Sequence, residues 1–277
     1  MARTTSTCGK KKTGITSALL AVFLLLSFSC SKEDGGGFNI FTVDDDIAFG
    51  QSLRQEIEAN PAEYPLLNES QYALAYQHLY RIRDTLLNTG LVAYDDKFSW
   101  EMKIIRNDSV VNAFAGPGGY IYFYTGLIKY LDDEAEFAGV MAHEMAHAAQ
   151  RHITQQLTKI YGIQILLSII LGENPTLLAE IVAGYAAGAA SLAFSRDFEY
   201  EADEYSVRYL YPTSYDARGV SDFFKKLEGG PTIPEFLSTH PSPEHRYDKI
   251  QELWIELGSK NGEVYTNRYN DFKSSLP

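Results

Sequence analysis

Cysteine is nearly missing from this chain: Cys8 and Cys30 are the only two in 277 residues. A disulfide framework is therefore excluded, and the fold must rest on its core. Long apolar runs are also scarce. Ala18 to Phe28 and Ile160 to Leu171 both fall short of the roughly 20 residues a bilayer-crossing helix needs. Leu177 to Phe194 comes near that length, but it is rich in Gly and Ala and carries Glu180, which suits close packing in a core. Basic charge is in deficit, with 24 Lys and Arg against 36 Asp and Glu and a formal net charge of -12. That balance argues against nucleic acid as a partner and against docking on anionic lipid by charge.

The two cysteines have a different use. Arg3, Lys10, Lys11 and Lys12 precede the apolar run, which ends at Ser29-Cys30. A basic segment, a short apolar stretch and small residues before a cysteine make a bacterial lipoprotein signal peptide, with cleavage before Cys30 and acyl chains attached to it. The expected organisation is a signal peptide at 1–29, a lipidated flexible tether at 30–43 and one domain at 44–277. Ser31 carries no inner-membrane retention signal, so the expected home is the outer membrane, facing the periplasm. The pair Glu33-Asp34 suits either a solvated linker or a surface-export signal. Without the leader, 20 basic residues face 36 acidic ones, which leaves the acyl chains as the membrane anchor.

His143-Glu144-Met145-Ala146-His147 is an H-E-x-x-H motif within EAEFAGVMAHEMAHAAQRH, residues 134 to 152, which reads as one continuous helix. Residues four apart share a helix face, so both imidazoles can hold one ion. Glu144 beside them is placed to act as general base rather than as a ligand. Two imidazoles and a carboxylate suit one zinc ion, with a fourth position open. The carboxylate must come from elsewhere. Glu199-Tyr200-Glu201-Ala202-Asp203 also reads as helix, and Glu199 and Asp203 share a face. Glu199 would bind the ion, and Asp203 would hold a ligating histidine by its far nitrogen. The alternatives are Glu201 as the ligand, pointing the opposite way, or an acidic face that is merely solvated.

With these residues in view, the chain resembles metallopeptidase family 48, the zinc endopeptidases that include the CAAX prenyl, HtpX and Oma types, with most likeness to the lipoprotein members LoiP and BepA. Four segments carry the resemblance: NAFAGPGGYIYFYTGLI at 112 to 128, the helix at 134 to 152, SRDFEYEAD at 195 to 203 and THPSPEHR at 239 to 246. The resemblance implies an α+β, mainly helical zincin (gluzincin-like) domain with a small antiparallel sheet beside the active-site helix. It also implies Glu199 as carboxylate ligand and Asp203 behind it. His240, in the Thr239-His240-Pro241 turn, would be a fourth ligand that switches the enzyme off, an oxyanion stabiliser, or an ordinary loop histidine. The implied substrates are unfolded or misassembled envelope proteins. A rival reading is an envelope chaperone or assembly factor with a protease-like cleft.

The remaining chain supplies scaffold. Asp44-Asp45-Asp46 caps a helix running towards Asn60, and a second helix is expected from Ser70 to Leu87. Phe98 to Ile105 and Val110 to Tyr124, the latter broken by Gly116-Pro117-Gly118-Gly119, read as strands. Asn112, Ala113 and Phe114 are the expected edge for an extended substrate backbone. Arg246 opens the expected final helix, with a substrate contact, a loop contact or a salt bridge as its role. His78, His152 and His245 receive no role.

Overall fold

The computed structural model describes residues 1–2, 39, 41–228, 235–241 and 245–277. The expected signal peptide beyond residue 2, Cys30 and residues 31–38 lie outside them. The described residues from 39 onward form one compact unit.

Helix α1, Val43–Ala59, starts one residue before the acidic triplet. Thr42 is its cap and exchanges hydrogen bonds with Asp45, so two otherwise orphaned backbone donors are met at once. The apolar face of Phe49, Leu53 and Ile57 is buried. A Cβ on Gly50 would lie 2.0 Å from the Pro117 carbonyl, so glycine lets α1 lie directly on the chain. Upstream, Phe41 is buried and the Asn39 amide donates to Thr154 Oγ1 at 3.0 Å. The last residues of the expected tether are therefore packed onto the domain. Helix α2, Ala73–Leu87, begins three residues later than expected.

Strands β1 (Glu101–Ile105), β2 (Ala113–Gly116) and β3 (Tyr120–Tyr124) form one sheet in the order β1-β3-β2. β2 and β3 are an antiparallel hairpin around Pro117–Gly119, where Gly118 and Gly119 take φ of 71° and 82°. β1 runs parallel to β3. The sheet is thus mixed, not wholly antiparallel. The link after β1 passes over one strand position, and the hairpin then returns β3 into that gap, running the way β1 runs.

After α3 (Thr125–Tyr130) comes α4, Glu134–Ala149, capped by Asp133. All 16 residues of α4 are buried, the signature of a helix apolar on nearly every side and packed on every side. Its first turn is held by Glu134, which accepts from Arg81 at 2.7 and 2.8 Å, from Arg268 at 2.9 Å and from the Tyr215 hydroxyl at 2.5 Å. The expected continuous helix to residue 152 breaks at Arg151, whose φ is 61°. That conformation costs about 1–2 kcal/mol. In return the guanidinium bonds the Asp46 carboxylate and the carbonyls of Phe41 and Thr42. Helix α5, His152–Tyr161, then departs in a new direction.

The two apolar stretches are α6 (Ile163–Ile170) and α7 (Pro175–Ala186), bent at 102° to one another. Leu166, Ile169, Ile181, Val182 and Tyr185 are buried, while Ile165, Leu167 and Leu171 are exposed. Among the described residues no single helix is long and apolar enough to cross a membrane. Helix α8, Arg196–Leu210, is capped by Ser195 and packs along α4. Helix α9, Gly219–Glu228, crosses α4 so closely that a Cβ on Gly139 would meet the Val220 nitrogen at 2.3 Å. α10 (Glu235–Thr239), α11 (Arg246–Glu256) and α12 (Thr266–Ser274) follow, so Arg246 opens the helix before the last.

Candidate metal centre

Helical spacing on α4 sets His143 and His147 one turn apart, both fully buried, with their Nε2 atoms 3.1 Å from each other. α8 lies across them and brings Glu199, with Oε2 3.5 Å from His143 Nε2 and Oε1 3.4 Å from His147 Nε2. The turn after α10 adds His240, whose Nδ1 is 3.1 Å from Glu199 Oε1 and 3.4 Å from His143 Nε2. One ligand atom from each of these four residues lies within 4.8 Å of all the others. Donors at the corners of a tetrahedron with bonds of roughly 2.0–2.1 Å stand about 3.4 Å apart, so the set fits a zinc-sized ion.

The buried charges fit a cation as well. Neither oxygen of Glu144 has a hydrogen bond among the described residues, and its Oε1 faces His240 Nε2 at 3.4 Å; that is a costly state for a buried carboxylate unless a cation or substrate meets it. Burial raises the Glu144 carboxyl above its usual range, against the opposing charges of His240 and His143. Burial acts the same way on Glu199, but the positive charges of His240 and Arg246 and hydrogen bonds from His143 and His147 overcome it and hold the carboxyl well below its usual range. For His143, burial pushes down, and hydrogen bonds to Asp203 and Glu199 outweigh it, raising the imidazole to about 9. His147 is driven well below the ordinary range by burial.

Each expected residue can now be placed. Asp203 Oδ1 lies 3.0 Å from His143 Nδ1, on the far side of the ring from the cluster. Glu201 points away and contacts His152 Nε2 at 3.3 Å, so the carboxylate that joins the cluster is Glu199. Arg246 is buried in a salt bridge, with Nη2 2.9 Å from Glu199 Oε2 and 2.8 Å from Asp203 Oδ1, a second bond from Nε to Asp203, and its guanidinium 3.5 Å above the Phe224 ring. It balances two carboxylates in a dry site.

Asn112, Ala113 and Phe114 are buried. β2 is an edge strand, but α7 covers it: the side-chain amide of Asn112, just before the strand, donates to the carbonyls of Tyr185 (3.1 Å) and Ala186 (3.4 Å), and Phe114 lies parallel to Tyr185. Sequence reasoning could not choose this cover over a lipid or oligomer contact for the apolar stretches, and it missed Phe194, which stacks on the His147 ring at 4.0 Å. Phe236 stacks likewise on His240 at 4.3 Å. The only local signal was an aromatic residue beside the Ser195 cap and another just before the His240 turn.

Comparison with known proteins agrees with this geometry. The model of peptidase family M48 matches residues 77–254. The mitochondrial metalloendopeptidase OMA1 of Arabidopsis thaliana is 35% identical over 150 residues, 53% of this chain and 30% of that protein. The beta-barrel assembly-enhancing protease of Escherichia coli K12 is 33% identical over 156 residues, 52% of this chain and 32% of that protein. The protein of that name from Yersinia pestis is 28% identical over 218 residues, covering 74% and 43%. The chain spans less than half the length of each of these relatives.

Proposed function

Because the chain belongs to peptidase family M48, we propose that it is a zinc-dependent endopeptidase acting on damaged or misassembled proteins of the bacterial cell envelope. The observation that carries this reading is the meeting of His143, His147 and Glu199 in one buried cluster, with the buried Glu144 carboxylate beside them, free of hydrogen bonds and 3.4 Å from His240 Nε2. The names of two relatives refer to β-barrel assembly, and the leader pattern ending at Cys30 supports an anchor of acyl chains at the outer membrane.

His143, His147 and Glu199 would hold the ion, with Asp203 fixing the His143 ring. Bound zinc supplies Lewis acidity that makes a water proton easier to remove and polarises a peptide carbonyl. Glu144 takes the proton from the attacking water as the new C–O bond forms, then delivers it to the departing amide nitrogen as the C–N bond breaks. Its raised carboxyl suits both accepting and returning that proton. The edge of β2 at Asn112 to Phe114 offers backbone groups to an extended substrate once Tyr185 and Ala186 have left it. His240 stands within reach of the same donors, which supports reading it as a fourth ligand that would hold the place of the attacking water in a resting state.

The test is hydrolysis of casein by the purified chain, with bound zinc quantified. Glu144→Gln is expected to keep zinc and lose activity by about 10²–10⁴-fold. His240→Ala is expected to keep zinc and cut faster than wild type. If all three forms bind one zinc and none cuts, the chain acts by binding rather than hydrolysis. If none binds zinc, the ligand assignment is wrong.

A further inference from the structure

We propose that His152, backed by Glu201, is the positioning residue for the metal-ligating ring of His147; this rests on the zinc-binding reading above. The Nε2 of His147 faces the donor cluster, 3.1 Å from His143 Nε2 and 3.4 Å from Glu199 Oε1. A ring nitrogen that binds a cation carries no proton, so the proton of the neutral ring sits on Nδ1. That atom is 3.0 Å from Nδ1 of His152. Two ring nitrogens this close share one proton. With His147 donating, His152 Nδ1 must be the acceptor, and the proton of His152 is then on Nε2. That nitrogen lies 3.3 Å from Glu201 Oε2. One order of protons therefore satisfies all three residues, running from His147 through His152 to the Glu201 carboxylate.

The surroundings hold this arrangement in place. His152 is fully buried and its ring lies flat on Phe198 at 4.3 Å, with the planes 13° apart. It opens α5 directly after the Arg151 break, so the bonds from Arg151 to Phe41, Thr42 and Asp46 fix where the ring stands. The two ligating histidines are thus supported differently. His143 meets the Asp203 carboxylate directly at 3.0 Å, whereas His147 reaches its carboxylate through a second imidazole. A supporting partner of this kind fixes the tautomer and raises the basicity of the ligand.

Two amides separate this role from packing. The Asn oxygen falls where His152 Nδ1 stands, so His152→Asn keeps the acceptor for His147. The Gln side chain reaches the Nε2 position instead, so His152→Gln keeps the contact with Glu201 and loses the one with His147. Zinc affinity of the full chain is measured by competition with a chelator, and folding of each metal-free variant by circular dichroism. The expected result is that His152→Gln binds zinc about 10–100-fold more weakly, while His152→Asn retains most of the affinity. Glu201→Leu, at a partly exposed position, is expected to weaken binding, and Glu201→Gln, which still accepts from Nε2, is expected to restore it. Equal loss in Asn and Gln variants, or wild-type affinity in His152→Gln and Glu201→Leu, overturns the proposal. Absence of zinc binding by wild type overturns the parent reading and this one with it.

Discussion

Single residues in α4 do two kinds of work, and Glu136 separates stability from chemistry. It lies seven residues before the first histidine and is buried, accepting the Asp132 N–H at 2.8 Å. Burial, with a smaller push from Asp133, raises its carboxyl from 4.5 to about 7. The folded state therefore holds this proton more tightly than the unfolded chain does. The resulting stabilisation is complete below about 4.5 and is lost as the pH rises through about 7. Glu136→Gln keeps an acceptor and carries no charge, so it should gain on wild type between those values, by up to about 3 kcal/mol at pH 8. Urea unfolding at pH 4.5 and pH 8 checks this, and a constant difference between the two proteins would contradict it. The role of Glu136 was not legible in the sequence, where it is one more acidic residue in the first turn of a helix. The clustering of His143, Glu144 and His147 was legible, because helix periodicity alone puts two histidines on one face with a carboxylate beside them.

At the scale of elements, the position of the centre depends on how closely α8 and α9 approach α4. Gly139 leaves room for the backbone at Val220, and Gly219 does the same for the Ala135 carbonyl, which a Cβ would approach to 2.0 Å. Gly139→Ala should raise the helix propensity of α4 and still destabilise the protein, by about 1–3 kcal/mol, because backbone atoms cannot step aside. An unchanged denaturation midpoint would show that the crossing is looser than described. The existence of α1, α2, α4 and α8 could be read from caps and apolar spacing. The break at Arg151 could not, since the bonds that reward its left-handed backbone come from residues 105 to 110 positions away. The parallel pairing of β1 escaped for a similar reason: alternation identifies strands but does not say which strand enters the gap between two others.

Across the whole molecule, the candidate donor set joins α4, α8 and the turn after α10, so an ion bound there would tie distant parts of the chain together. Zinc at 100 times its dissociation constant should stabilise the folded state by about 2.7 kcal/mol. A chelator should accordingly lower the melting temperature while leaving a cooperative transition, since Arg246 still bridges Glu199 and Asp203 and the core around α4 remains. A melting temperature indifferent to chelator would count against a metal site. The cover on β2 belongs to this scale too. α7 is brought to the strand by a bend of 102° after α6, and its terminal carbonyls take the amide of Asn112.

What the sequence determined by itself is the arrangement that needs only local order: two histidines one turn apart, a glutamate between them, and a carboxylate pair at the same spacing on a second helix. Those follow from 3.6 residues per turn and hold wherever the helices are placed. The sequence favoured Glu199 over Glu201, and the tertiary structure shows it beside His143 and His147; tertiary structure alone decided that His240 lies within reach of the same cluster, that His152 stands behind His147, and that the strand edge is covered. Each of these is a distance between segments far apart in the chain, set by close packing, glycine contacts and buried ion pairs that no local pattern encodes.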